Sequence, residues 1–224
     1  MIEYNLIRSK RKTLAIHIVN GKVVVKAPMR LSLVDIERFV TLKKEWINNH
    51  LKRSIYKKRQ RDNFEFNYGD AVLFLGKRYS IIAKNINKSG FDGECFFMPQ
   101  GFNKTQIKMA CIKIYRTYAK KHIESRLEIF KAIMALSPES VKITNAKTRW
   151  GSCSIKRSIS FSWRLMMADE DVVDYVIVHE LAHLKEMNHS KKFWDIVEIV
   201  LPNYKDRRKK LNILGKKLGQ ENWD

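Results

Sequence analysis

Cysteine is scarce in this chain of 224 residues. Cys95, Cys111 and Cys153 are odd in number and widely spaced, with no CxxC pair, which argues against a disulfide framework and against a thiolate zinc site. Reduced thiols are expected. Long apolar runs are missing too: no stretch approaches the roughly 18 residues that cross a bilayer. The N-terminal MIEYNLIRSKRKTLAIHIV has neither the apolar h-region nor the cleavage site of a signal peptide. The expectation is a cytoplasmic protein with no membrane partner. Proline and glycine are few, four and nine, and no repeat, low-complexity tract or flexible linker interrupts the chain. Acidic residues are outnumbered, 23 Asp and Glu against 44 Lys and Arg, for a formal charge of +21. So basic a surface attracts polyanions. Nucleic acid or a nucleotide is therefore a candidate partner, set against the plainer reading of a solvated lysine-rich face. Nothing in the sequence specifies an oligomer.

What is present suffices for a core: 45% of residues are hydrophobic and 11% aromatic. Residues 13–27, TLAIHIVNGKVVVKA, alternate apolar and polar on both sides of Asn20-Gly21, the signature of two strands joined by a tight turn. Ser32 and Asp35 stand at capping-box spacing before one long helix, DIERFVTLKKEWINNHLKRSIYKKR, with Ile36, Phe39, Val40, Trp46, Ile47 and Leu51 at helical intervals. It closes in a basic cluster, Lys52, Arg53, Lys57, Lys58, Arg59 and Arg61. Such a cluster either grips phosphates or forms a wet face near a helix C-terminus, where cations are favoured. Residues 64–99 hold short β-like runs punctuated by glycine. Lys104 to Leu136, free of Gly and Pro, predict one long helix ended by Ser137-Pro138. The strands SVKITNAK and ISFSWRLMM follow. Asp169, Glu170 and Asp171 then open another helix with charges that suit its dipole. The shift from β-rich to helix-rich composition suggests sub-lobes 1–102 and 103–224 within a single domain.

Histidine is also rare, six residues, yet three fall within eleven positions of VIVHELAHLKEMNHSKKFW, residues 176–194. On a helix His179 and His183 differ by about 40° in azimuth and about 6 Å in rise, so both imidazoles reach one ion. Glu180, about 100° round from His179, is poorly placed as a further ligand and well placed to hold a water beside the ion. Two nitrogens for Zn²⁺ and one carboxylate for the water's proton is the division of labour that makes HExxH recur in metal-dependent hydrolases. Zinc lowers the pKa of its water from about 15.7 toward about 7. The plainer alternative is two core histidines satisfied by hydrogen bonds.

A catalytic zinc takes three protein ligands and keeps one position open. An unbroken helix would carry His189 about 9 Å beyond His183 and roughly 120° away, out of reach, and would bring Glu186 within about 20° of His179. A turn at Met187-Asn188, with Asn188 in a left-handed conformation and Ser190 capping KKFWDIVEIVL, would instead return His189 to the ion. The cap signal favours His189 over Glu186.

HELAHLKEMNHSKKFW, with DYV before it, TRWGSCS and ISFSWRLMMA upstream, and RSKRKTLAIHI with VVVKAP near the N-terminus, resemble the YgjP-like family of metal-dependent hydrolases. These are zincin-like metallopeptidase domains related in motif to SprT-like proteases. The likeness runs from residue 4 to about 211. It implies an α+β, zincin-like fold, with a β-rich N-terminal part and a helical catalytic part whose active-site helix lies beneath a small sheet. It also implies His179, His183 and His189 as ligands of one Zn²⁺ or another divalent transition ion, and Glu180 as catalytic base. The spacing to His189 is that of metzincins, but Glu186 stands where those proteins place a glycine, which keeps the chain out of that group.

In zincin-like folds a strand lies along the cleft. Ser160–Leu165 would match it, with RWGSC near the mouth. Arg149 and Arg164 are then candidates for polarising a carbonyl or phosphoryl oxygen, against salt-bridge or solubility roles. Trp150 and Trp163 are expected in the core, and Cys153 as an inert thiol. Three functions follow for test: a zinc peptidase acting on peptide or protein, a metal-dependent nucleotide phosphohydrolase, and a nucleic-acid-associated protease or binding module. The second lacks the extra carboxylates usual in Mg²⁺ phosphate chemistry.

Overall fold

The computed structural model describes residues 2–19 and 21–223. They form two compact units: residues up to Phe64 with Lys217–Asn222, and Glu65–Lys216 with Trp223. Residue 102 thus lies inside the second unit. The strands before it belong with the helix after it, because the side chains they bury are shared.

In the first unit, β1 (Asn5–Ser9), β2 (Ala15–Val19) and β3 (Lys22–Pro28) form a sheet of order β1-β3-β2. β2 and β3 are the expected antiparallel hairpin, with His17 opposite Val24. Gly21 holds the positive φ of +77° that its turn position requires, while its partner Asn20 lies outside the described residues. β1 was not foreseen. It pairs in parallel with β3, a partnership that no hairpin signal advertises. The helix expected over residues 35–59 is two, α1 (Leu33–Leu42) and α2 (Lys44–Asp62), broken at Lys43 (φ −98°, ψ 11°). Ser32 caps α1 by accepting from the Asp35 amide. The break lets Ile36 and Val40 of α1 and Ile47 of α2 all reach the core of Val23, Val25 and Ala27.

In the second unit, β4 (Ala71–Phe74), β5 (Lys77–Lys84), β6 (Gly90–Phe91) and β7 (Phe96–Pro99) run in the order β4-β5-β7-β6. Their aromatic face, Phe74, Phe91 and Phe96, meets Tyr115 and Tyr118 of α3 (Lys104–Met134). The Tyr115 hydroxyl donates to the Leu73 carbonyl. Asn103 and Gln106 form a full capping box at the start of α3, and Ala135 ends it in a left-handed conformation.

A second sheet has β10 (Ser158–Ser162) at its centre, parallel to β8 (Ser140–Thr144) and antiparallel to β9 (Gly151–Cys153). The strand expected over ISFSWRLMM ends at Ser162, and Trp163–Met167 form a wholly buried 3₁₀ helix started by the Ser162 side chain. β9, which carries Gly151 and Cys153 of the RWGSC segment, is one edge of this sheet and β8 the other. α4 (Glu170–Ala182) then packs against α3, fixed by Arg126, whose Nε and Nη2 each donate at 2.7 Å to Asp174, a bidentate charge-assisted pair. α5 (Lys191–Val200) and α6 (Tyr204–Leu218) complete the unit. Among the described residues no helix is long and apolar enough to cross a membrane.

Candidate metal centre

α4 is apolar almost all round: Val172, Val173, Tyr175, Val176, Ile177, Val178, Leu181 and Ala182 are buried. A polar side chain on it is therefore carried into the interior. Glu180 is 5% exposed and His183 9%. The helix ends sooner than expected. Leu184 and Lys185 donate back to Leu181 and Ala182, both at 3.0 Å, tightening the last turn to the i→i+3 pattern. Asn188 lies in a bend and does not take a left-handed φ. Ser190 does cap α5, accepting from the Phe193 amide.

The turn returns His189 to the helix. One nitrogen from each of His179, His183 and His189 lies within 4.8 Å of the others, and the Nε2 atoms of His179 and His189 are 3.1 Å apart. Two nitrogens each 2.0–2.1 Å from one tetrahedral zinc stand about 3.3 Å apart, so the spacing fits a single ion. His183 Nδ1 donates to the Glu186 carbonyl at 3.1 Å, which fixes its tautomer and leaves Nε2 with a free lone pair. Glu186 thus serves through its backbone, and its carboxylate accepts from the Asn188 amide at 3.4 Å. It stays out of the cluster. His179 Nδ1 is buried without a hydrogen-bond partner among the described residues.

Burial pushes the His179 pKa down to about 3, helped by His183, His189 and Arg208. His183 is also held below the usual range, again by burial first. Both rings are therefore neutral at pH 7 with lone pairs to give, as a metal requires. Phe193, fully buried, stands 4.5 to 4.9 Å from all three imidazole centroids. Trp194 stacks on His189 at 5.7 Å and Tyr204 on Trp194 at 5.2 Å, so aromatic surface backs the cluster.

Glu180 sits beside this cluster in the chain and against β9 in space. A Cβ built on Gly151 would lie 2.5 Å from Glu180 Oε1, 2.6 Å from Cγ and 2.8 Å from Cδ, so only glycine fits while that carboxyl stays where it is. Burial raises the Glu180 pKa to about 8, and Arg149 acts to lower it.

Arg149, exposed, thereby remains beside the site. Arg164 does not: it is 5% exposed, donates to Asn145, Ala146 and Trp223, and covers the Trp163 ring. Its role is corrected from oxyanion contact to structural clamp, because its donors are directed at chain carbonyls. Trp163 is fully buried, donating to Asn145, while Trp150 is half-buried. Burial and then the Glu180 charge raise the Cys153 pKa, consistent with an unreactive thiol. Sequence reasoning passed over Gly151 and Phe193. A glycine within a strand marks close backbone approach and offered the one available signal.

These shifts set the pH dependence of metal-free stability. Glu180, ordinarily near 4.5, keeps its proton in the folded chain up to about 8. Its contribution is fully present below 4.5 and lost as pH rises toward 8. His179 acts oppositely between about 3 and 6.5, where the folded ring stays neutral and the unfolded one is charged, so there stability rises with pH. Between pH 6.5 and 8 the Glu180 effect stands clear of the His179 one. Urea titration of metal-free protein should show wild type losing about 2 kcal/mol more than Glu180→Gln over that interval. Equal slopes for the two would mean the carboxyl is already ionised.

The model of the YgjP-like metallopeptidase domain matches residues 12–213. Among solved structures, the metallopeptidase zymogen abylysin of Pyrococcus abyssi is 31% identical, with TM-score 0.39, over 45% of this chain and 97% of that one. The zymogen jannalysin of Methanocaldococcus jannaschii is 22% identical, with TM-score 0.37, over 42% and 96%. No curated protein matches this chain.

Proposed function

The chain belongs to the YgjP-like metallopeptidase family, and from that premise we propose a zinc peptidase in which His179, His183 and His189 hold the ion and Glu180 is the general base. The observation that carries this reading is the convergence of three imidazole nitrogens within 4.8 Å beside a buried carboxyl. When bound, a divalent ion such as Zn²⁺ supplies Lewis-acid polarisation and an acidified water.

The rest falls to the chain's own groups. Glu180, which would be ionised once a bound cation offsets the burial that holds its proton in the metal-free chain, accepts the water's proton and delivers it to the leaving amine nitrogen. Arg149 offers a positive charge for the oxygen that becomes negative during attack. The Glu186 carbonyl holds the His183 ring, and Phe193 keeps water from the back of the cluster.

Metal analysis of protein purified without chelator tests the ligand set. Wild type and Glu186→Ala should carry close to one ion per chain, and His179→Ala, His183→Ala and His189→Ala well below that. Retention of the ion by His189→Ala would overturn the assignment. Cleavage of a denatured protein should accompany metal content. Phosphate release from a nucleoside triphosphate without any peptide cleavage would replace the peptidase with a phosphohydrolase.

A further inference from the structure

About half of the chain's charge sits in under a third of its length: residues 1–64 carry 16 Lys and Arg against 5 Asp and Glu, or +11 of the formal +21. Within this first unit a groove of about 790 Å³ runs along α2, lined by His50, Arg53, Lys57, Lys58, Arg61 and one acid, Asp62, and walled opposite by Ile18 and the segment ending at Asn222. His50, Arg53, Lys57 and Arg61 fall within an arc of about 80° on the helix. Arg53 with Lys57, and Lys57 with Arg61, are like-charged i,i+4 pairs, which disfavour a helix. Arg53, Lys57 and Lys58 are exposed and have no carboxylate partner among the described residues. One turn before this stripe, Trp46 is 42% exposed and stacks on His50 at 3.9 Å.

We propose that this groove binds single-stranded nucleic acid, with phosphates on Arg53, Lys57 and Lys58 and a base on Trp46. Clustered cations without counter-charges are stabilised by an anion that releases its own counterions. The groove is concave, which suits a strand. An exposed aromatic ring beside it serves only bases free to unstack. The proposal stands independently of the peptidase reading.

Fluorescence anisotropy of the full chain with a labelled oligo(dT) of about 15 nucleotides, repeated over a series of salt concentrations, tests it. Three phosphate contacts predict a slope of log K against log salt of about −2. Arg53→Glu with Lys57→Glu should weaken binding about 100-fold and flatten the slope. Lys120→Glu with Lys121→Glu, the same charge change on exposed positions of α3, should have far less effect. Trp46→Ala should cost about tenfold and erase preference for the single strand over a duplex. Equal losses from both charge reversals would overturn the proposal by showing diffuse attraction. Vesicles of phosphatidylserine that bind through α2 and are not displaced by the oligonucleotide would overturn it in favour of a membrane.

Discussion

Glu180→Gln should lower the rate of peptide cleavage by about 10²- to 10⁴-fold, the usual contribution of a positioned general base, with the metal content of wild type. The substitution keeps the volume and removes the proton acceptor. Because the native carboxyl is buried and of high pKa, 5% exposed and about 8, the amide enters the same space without leaving a charge uncompensated, so stability should not fall at neutral pH. Measurement of kcat and KM with a quenched-fluorescence peptide, alongside metal analysis, separates the outcomes. A fall in kcat with KM and metal unchanged supports the base. Wild-type kcat in this variant would remove Glu180 from the chemistry, whatever the histidines hold.

Gly151→Ala should cost about 10² in kcat, the scale associated with misplacing a reacting group by about 1 Å. The new methyl would collide with Oε1, Cγ and Cδ of Glu180 at 2.5 to 2.8 Å, and the side chain must swing aside because β9 is held to β10 by its ladder. The three atoms nearest the new methyl all belong to Glu180 and none to a histidine, so metal content should stay that of wild type. Overpacking of this kind also destabilises, by about 1 to 3 kcal/mol, which a general loss of fold would mimic. Combination with Glu180→Gln discriminates. Where the carboxyl is already gone its displacement costs nothing further, so the double variant should lose far less than the product of the two single losses. Multiplicative losses, or a Gly151→Ala enzyme as fast as wild type, would show that the strand does not set the position of the carboxyl.

Much of the site was legible because its information is local. The four-residue step from His179 to His183 needs only helical geometry, and Ser190 announced the helix that follows His189. The capping signal at Ser32, and the alternation around the β2–β3 turn, were likewise written in neighbouring residues. Less legible was the choice between His189 and Glu186. It rests on where α4 ends, and α4 ends at Ala182 through a tightened last turn that neither glycine nor proline marks.

What the sequence by itself determined is the chemistry available: three imidazoles, one carboxylate, and helix-period patterning that places them on or just after one helix. Tertiary structure alone decided that Gly151 lies against Glu180, that Arg164 is consumed by the carbonyls of Asn145, Ala146 and Trp223, that the chain leaves β10 at Ser162 for a buried 3₁₀ helix, and that β1 pairs in parallel with β3. The physical reason is one of range. Helix period, capping and turn preference act between residues a few positions apart, whereas close approach, burial and strand pairing join residues tens of positions apart, and their outcome depends on what the whole core can pack.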